Sequence, residues 1–170
     1  MNSPIETKRL YITKFNENMA ESVHKNSLDE DNRLFLPDEV FETLESAQEV
    51  IKTLVSFYEK QNVPLIYPIV LKNDEQIGHV QAIPIENGWE VGYHIGKQYA
   101  GNGYATEALC AFVPEIMKKL NIKEIFGICR LDNIASWKVL EKCGFKLEYE
   151  GVSLYHGKEH HIRRYKKELI

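Results

Sequence analysis

At 170 residues, with 44% apolar and 27% charged positions, the chain has the makeup of one soluble globule able to bury a full core. A formal net charge of −4 argues against nucleic acid as the main partner, and neither an apolar run of about 18 residues nor a signal-peptide pattern is present, so a cytoplasmic protein with no membrane partner is expected. Cys110, Cys129 and Cys143 are an odd number at wide spacing, which fits reduced, buried thiols better than a disulfide or a metal site.

Residues 10–15 read as a first strand. Residues 17–33 are polar and helical in pattern, broken near Leu36-Pro37-Asp38. Residues 43–61 form a clear helix: Thr43 can cap it, and Ala47, Val50, Ile51, Leu54, Val55 and Tyr58 line one face. Residue 35–42 between these helices is read as a mobile lid or, equally, as a plain surface connection. Strands follow at 65–71 and 77–83, separated by the turn signal Asn73-Asp74, and Asn87-Gly88 is a hairpin turn into a strand at 89–95. A glycine-rich turn then leads into a helix from about Gly103, followed by a strand near 123–130, a helix from Asn133, and strands near 145–151 and 160–168. There is no repeat, linker or low-complexity tract, so residues 1–170 are expected to form a single domain.

The strand-turn-helix at 90–108 carries the first chemical signal. Gly101 and Gly103 lack a Cβ, so backbone can approach a ligand closely there. The first amides of the helix have no intrahelical partner and, with the helix dipole, make an anion site suited to a phosphate-bearing cofactor. No Gly-Lys-Ser or Gly-Lys-Thr follows, which argues against a nucleotide-hydrolysing P-loop. Thr106 stands where a dinucleotide fingerprint needs its third glycine. By itself the turn is equally readable as glycine chosen for geometry alone.

The second signal is the run 133–145. Asn133 can cap a helix on which Ile134, Trp137 and Leu140 recur at helical spacing, and Gly144 is placed to end it before Phe145 opens a strand.

Taken together, the two segments resemble the GCN5-related N-acetyltransferase (GNAT) superfamily. Its coenzyme motif, Q/R-x-x-G-x-G/A, falls near Ala100-Gly-Asn-Gly-Tyr-Ala105, and its later motif, N-x-x-A/S-x-x-x-Y-x-K-x-G-F, falls on Asn133, Ser136, Leu140, Lys142, Gly144 and Phe145. The opening Ile5-Glu-Thr-Lys-Arg-Leu-Tyr-Ile12 looks like the family's first strand. Two positions depart from the pattern: Ala100 replaces a Gln or Arg, and Leu140 replaces the Tyr that many members use as general acid. Ser136 is the remaining hydroxyl, a combination similar to the RimJ/RimL-like branch that acetylates ribosomal-protein N-termini.

The resemblance implies an α/β (α+β) fold: a mixed sheet of about seven strands, antiparallel in its N-terminal part, with a splayed parallel pair and about four helices. It implies acetyl-coenzyme A as cosubstrate and no metal. Backbone at Tyr93, His94 and Ile95 would pair with the pantetheine arm. Amides across Gly101, Asn102, Gly103, Tyr104, Ala105 and Thr106 would hold the pyrophosphate. Asn133 would touch the arm, and Lys142 would reach the 3′-phosphate or simply stand in solvent. Ser136 is the expected general acid, or a hydroxyl that bonds its own helix carbonyl. Glu90 is the expected general base acting through water, or a structural carboxylate. His94 has the same strand parity as Glu90 and is a second base candidate.

His156, His160 and His161 sit with Glu159 near the end of the chain; adjacent histidines on a strand point to opposite faces, a poor start for a metal site, though a side chain there could meet the acceptor. The basic run 163–167 reads as a solvated sheet edge. Three functions are open. The first is acetylation of a protein N-terminal α-amine. The second is acetylation of a small amine such as a polyamine, an amino sugar or an antibiotic, for which Glu30, Asp31, Asp38, Glu39 and Glu42 offer acid. The third is a non-catalytic acyl-coenzyme A-binding module, as monomer or homodimer in every case.

Overall fold

The structure, a computed structural model, describes residues 3–169. Its strands are β1 (Ile5–Glu6), β2 (Leu10–Ile12), β3 (Leu65–Leu71), β4 (Gln76–Ile85), β5 (Gly88–Ile95), β6 (Glu124–Arg130), β7 (Lys146–Tyr155) and β8 (Lys158–Glu168). Its helices are α1 (Ala20–Ser27), α2 (Glu30–Phe35), α3 (Leu44–Phe57), α4 (Tyr104–Leu120) and α5 (Ile134–Lys142). The strands form one eight-stranded sheet in the order β1-β2-β3-β4-β5-β6-β8-β7. Every neighbouring pair is antiparallel except β5 and β6. This is the expected mixed architecture, with one strand and one helix more than expected among the described residues.

Both additions come from local chemistry. The stretch 5–12 folds back on itself at a tight turn, where Thr7 N donates to Leu10 O at 2.9 Å, so Ile5 pairs with Ile12. The polar stretch 17–33 divides at Leu28, because Asp29 caps a new helix by accepting from Asn32 N at 2.8 Å. Elsewhere the signals hold. Thr43 and Ser46 form a capping box on α3. Gly144, at φ +79°, ends α5, with Phe145 N returning to Leu140 O at 3.1 Å.

Each sheet face has its own core. On one, α4 buries Leu109, Phe112, Val113 and Ile116 at helical spacing against Ile12, Tyr67, Val91 and Ile125. On the other, α1 and α3 cover Phe15, Ile51 and Leu54, with Ile66 packed against them. Among the described residues no helix is long and apolar enough to cross a membrane.

The β5–β6 register pairs Glu90 with Phe126 and Val91 with Gly127 and then stops, so residues 92–95 and 128–130 part from each other. Gly127 is glycine for a steric reason: a Cβ there would collide with the Leu140 side chain of α5.

Two expectations are corrected, and a choice between two readings is narrowed. The basic run 163–167 is not a free edge, because β8 lies between β6 and β7; Arg163 pairs with Glu150 (2.7 Å) and Arg164 with Glu148 (3.2 Å) across the ladder. Of the two readings of the segment 35–42, the structure favours a connection bonded to its neighbours: Phe41 N donates to Ser27 Oγ at 2.9 Å, and Asn32 Nδ2 donates to Glu39 O at 3.0 Å. Cys110 and Cys143 are joined as a disulfide, leaving Cys129 free and buried. Packing of α5 against α4 sets their Cα atoms 5.0 Å apart, inside the bridging range, a proximity that a separation of 33 residues does not show in sequence.

The bridge generates a prediction. A closed loop of this length stabilises by about 3–4 kcal/mol. Cys110→Ser should therefore lower the oxidised protein's thermal midpoint by about 6–16 °C. Reductant should lower the wild type to the same value and leave the variant unmoved.

Candidate active site

The glycine turn is built as an anion cradle. Gly101 and Gly103 both have left-handed φ, +80° and +77°. The first α4 hydrogen bond runs from Glu107 N to Gly103 O (3.0 Å), so the helix leaves the amides of 103–106 uncommitted. A Cβ on Gly101 would meet nothing within 4 Å, so approach from solvent is open. Asn102 spends its side chain on the turn itself, donating from Nδ2 to Tyr99 O (3.0 Å) and Ala100 O (3.3 Å). The Tyr104 ring lies under the Arg9 guanidinium at 4.5 Å. Ala105 and Thr106 complete the first turn. These residues fit a pyrophosphate through backbone donors and the helix dipole, with no side-chain contact from Ala100.

Beside the turn lies the opened edge of β5. His94 turns its carbonyl toward β4, so close to Gly78 that a Cβ there could not fit. Gly96 N likewise donates to Ile77 O at 2.8 Å. Successive strand residues aim their backbone groups at opposite edges, so Tyr93 and Ile95, not His94, present backbone to the gap. Across it, Asn133 Oδ1 accepts from Ser136 N at 3.1 Å, capping α5 and leaving its Nδ2 for a ligand. Lys142 is exposed on the last turn of α5.

Glu90 sits at the first of the two paired positions, one residue before the last pair, Val91 with Gly127, after which the strands part. Burial pushes its carboxyl up to about 7, against the opposing pull of the Ile128 amide and the Arg164 guanidinium. On the opposite face of β5, the Tyr93 side chain reaches α5. Its hydroxyl donates to Ser136 O at 2.6 Å and lies 3.1 Å from Ser136 Oγ. A phenol has one proton and a carbonyl only accepts, so in the second contact Ser136 is the donor. Ser136 thus points at Tyr93 rather than at its own helix carbonyl. Leu140 packs into the core over Gly127, so the phenol nearest Ser136 comes from β5 and not from α5.

On the Glu90 face, the β4–β5 register places Ile83 beside Glu90, Gln81 beside Gly92 and His79 beside His94. The shared parity of Glu90 and His94 is therefore real. His94 is directed to the α2 cap, with Nε2 3.4 Å from Asp29 Oδ2. Sequence reasoning noted Glu39 only as acid near the 35–42 segment, and missed His79, Gln81 and Tyr155. Glu39 accepts from Gln81 Nε2 (3.0 Å) and lies 2.9 Å from His79 Nε2, off the line a hydrogen bond needs. Burial raises the Glu39 pKa, but His79 and Gln81 outweigh it and hold the carboxyl below its usual range. Tyr155, at the β7–β8 tip, is within electrostatic reach of Glu90 and Glu39, and its hydroxyl donates weakly to Ile128 O at 3.5 Å. Arg164 stacks over Phe126 at 4.1 Å on this same face.

The tip is strapped across the site, with His156 Nδ1 3.2 Å from Asp38 Oδ2. A cavity of about 160 Å³ lies alongside, with Glu39, His79 and His94 against apolar walls from Phe15, Ile51 and Leu54. Of the other acidic residues noted near this segment, Glu42 pairs with Arg33, and Glu30 and Asp31 are exposed. His161 is 4.0 Å from Glu150, and among the described residues no three His, Cys, Asp or Glu side chains gather as a metal set.

Comparison with known proteins agrees with this geometry. The family described as Acetyltransferase (GNAT) domain matches residues 9–146. The uncharacterized N-acetyltransferase YnaD of Bacillus subtilis is 29% identical over 147 residues, 85% of this chain and 83% of that protein. A GNAT-family acetyltransferase from Bacillus anthracis superposes with a TM-score of 0.83 at 23% identity, covering 98% of both chains. RimL, a ribosomal α-N-protein acetyltransferase in complex with coenzyme A, superposes with a TM-score of 0.81 at 21% identity, again covering 98% of both. The chain therefore belongs to the GNAT family and is an acetyl-coenzyme A-dependent N-acetyltransferase.

Proposed function

We propose that the enzyme acetylates the α-amine of a polypeptide N-terminus by direct attack, with both substrates bound together. The observation that carries this is Glu90, a carboxyl raised to about 7 at the mouth of the strand gap. An α-amine has an ordinary pKa of about 7.7–8.0 and a lysine about 10.4. A base near 7 is matched to the first and poorly to the second. The fold likeness to RimL, an α-N-protein acetyltransferase, supports the same choice.

Bound coenzyme supplies the activated acetyl group and the sulfur that leaves. The amides of 103–106 are assigned to its pyrophosphate, the backbone of Tyr93 and Ile95 and the Asn133 Nδ2 to its arm, and Lys142 to its 3′-phosphate. Glu90 takes the proton from the attacking nitrogen through water. The Ser136 hydroxyl, held by Tyr93, turns to protonate the departing sulfur. A non-catalytic module would need neither a carboxyl tuned to about 7 nor an aimed hydroxyl. A small cationic amine is the second reading, favoured by one observation: the His156–Asp38 strap encloses the acid of Glu39.

Two peptides test the acceptor at pH 7.5. One has a free α-amine and blocked lysines, the other a blocked N-terminus and one free lysine. Mass spectrometry should show only the first acetylated; faster turnover of spermidine than of either peptide would move the assignment to the second reading.

Glu90→Gln should lower kcat by about 10²–10⁴ and remove the acid limb of kcat/KM, which in the wild type falls as pH drops through about 7. The same variant should gain stability. The folded-state pKa lies above the unfolded one, so the unfolded chain ionises first and the wild type loses stability as pH rises from about 4.5 to about 7. The thermal midpoint of Glu90→Gln should exceed the wild type's at pH 8 and match it near pH 4.5.

Ser136→Ala should lower kcat on the order of 10² with coenzyme affinity unchanged. Tyr93→Phe, which leaves the hydroxyl in place but loosens it, should fall between the two in kcat.

A further inference from the structure

We infer that Arg9 is a positioning residue for the phosphate turn: it neutralises Glu107 beneath the turn and pins the carbonyl of Asn102 within it. This rests on the coenzyme reading of residues 101–106.

Glu107 stands in the first turn of α4, directly after the four uncommitted amides. A bare carboxylate there would repel the phosphates that those amides attract. The N-terminal hairpin meets it with three donors and leaves it half-buried. Thr7 Oγ1 donates to Glu107 Oε1 at 2.7 Å, Arg9 N donates to the same oxygen at 2.9 Å, and Arg9 Nε donates to Oε2 at 2.6 Å. From that anchor the guanidinium extends over the turn. Nη1 donates to Asn102 O at 2.9 Å, the plane lies over the Tyr104 ring, and Nη2 reaches 3.6 Å from the place a Gly103 Cβ would occupy. One cation thus answers the carboxylate, fixes a carbonyl between Gly101 and Gly103, and adds positive charge where Ala100 supplies none. The guanidinium fork is needed for this, since an ammonium cannot hold Glu107 and Asn102 in one plane.

Calorimetric titration with coenzyme A and with pantetheine, which lacks every phosphate, tests the inference. Arg9→Ala should weaken coenzyme A binding about tenfold, the scale of one charge-assisted hydrogen bond, and leave pantetheine unchanged. The double variant Arg9→Ala/Glu107→Gln should recover most of that loss, because the exposed charge is gone. An equal loss for pantetheine would mean that Arg9 only supports the fold, and would overturn the inference. So would full coenzyme A affinity in Arg9→Ala, or a double variant as weak as the single one. Wild-type protein that binds no coenzyme A would instead overturn the coenzyme reading itself.

Discussion

The parting of β5 from β6 after two paired positions is the constraint on which the site depends. Buried backbone donors and acceptors must find partners, and a sheet that stops pairing in its middle leaves a row of them open. The structure holds the gap from both sides. Leu140 packs onto Gly127 where α5 returns under β6, and the Tyr93 phenol reaches across to Ser136 on the same helix. The α4 N-terminus, with its free amides, stands at one end of the opening, and Glu90 at the other. Binding of a long, hydrogen-bonding arm with a phosphate end follows from that layout.

Electrostatics divides the labour between two carboxyls on one sheet face. Glu90 has little but a backbone amide and a distant guanidinium to hold its charge, and burial wins. Glu39 is also buried, yet His79 and Gln81 keep it ionised. Groups of one chemical kind, driven apart in pKa by their neighbours, can serve as proton acceptor and as fixed charge in one site. Tyr155 lies within reach of both and makes the hairpin tip part of the same environment.

Much of the geometry of the proposed donor side was legible in sequence because it is local. Gly101 and Gly103, the Asn133 cap, the Thr43 capping box and Gly144 each act within a few residues of themselves. That of the proposed acceptor side was not, because its contacts join distant elements. Glu39 meets Gln81 across 42 positions, and His156 meets Asp38 across 118. The same reason hid Arg9 at Glu107 and the Cys110–Cys143 bridge. Charge misled at β8: a basic strand reads as an edge, but here cross-strand carboxylates from β7 answer Arg163 and Arg164. Parity did predict that Glu90 and His94 share a face, but not that Asp29 would engage the histidine.

This asymmetry bears on how acceptor choice arises in such a fold. The proposed coenzyme cradle would use backbone amides and glycine conformations, which tolerate changes in side chains. Ala100 in place of a long polar residue is one such change, with Arg9 nearby to answer it. The proposed acceptor side draws on α2, the turn that follows it, and the β7–β8 tip, segments joined to their neighbours by a few polar and cation–π contacts. Replacing a residue such as Asp38 or His156 would alter the roof of the site without disturbing the strand gap or the α4 amides. Function carried on exposed connections over a rigid frame can diverge while the frame persists. On the proposed reading, the fold and the donor site of this enzyme follow from its sheet, and its acceptor from contacts that the sheet does not dictate.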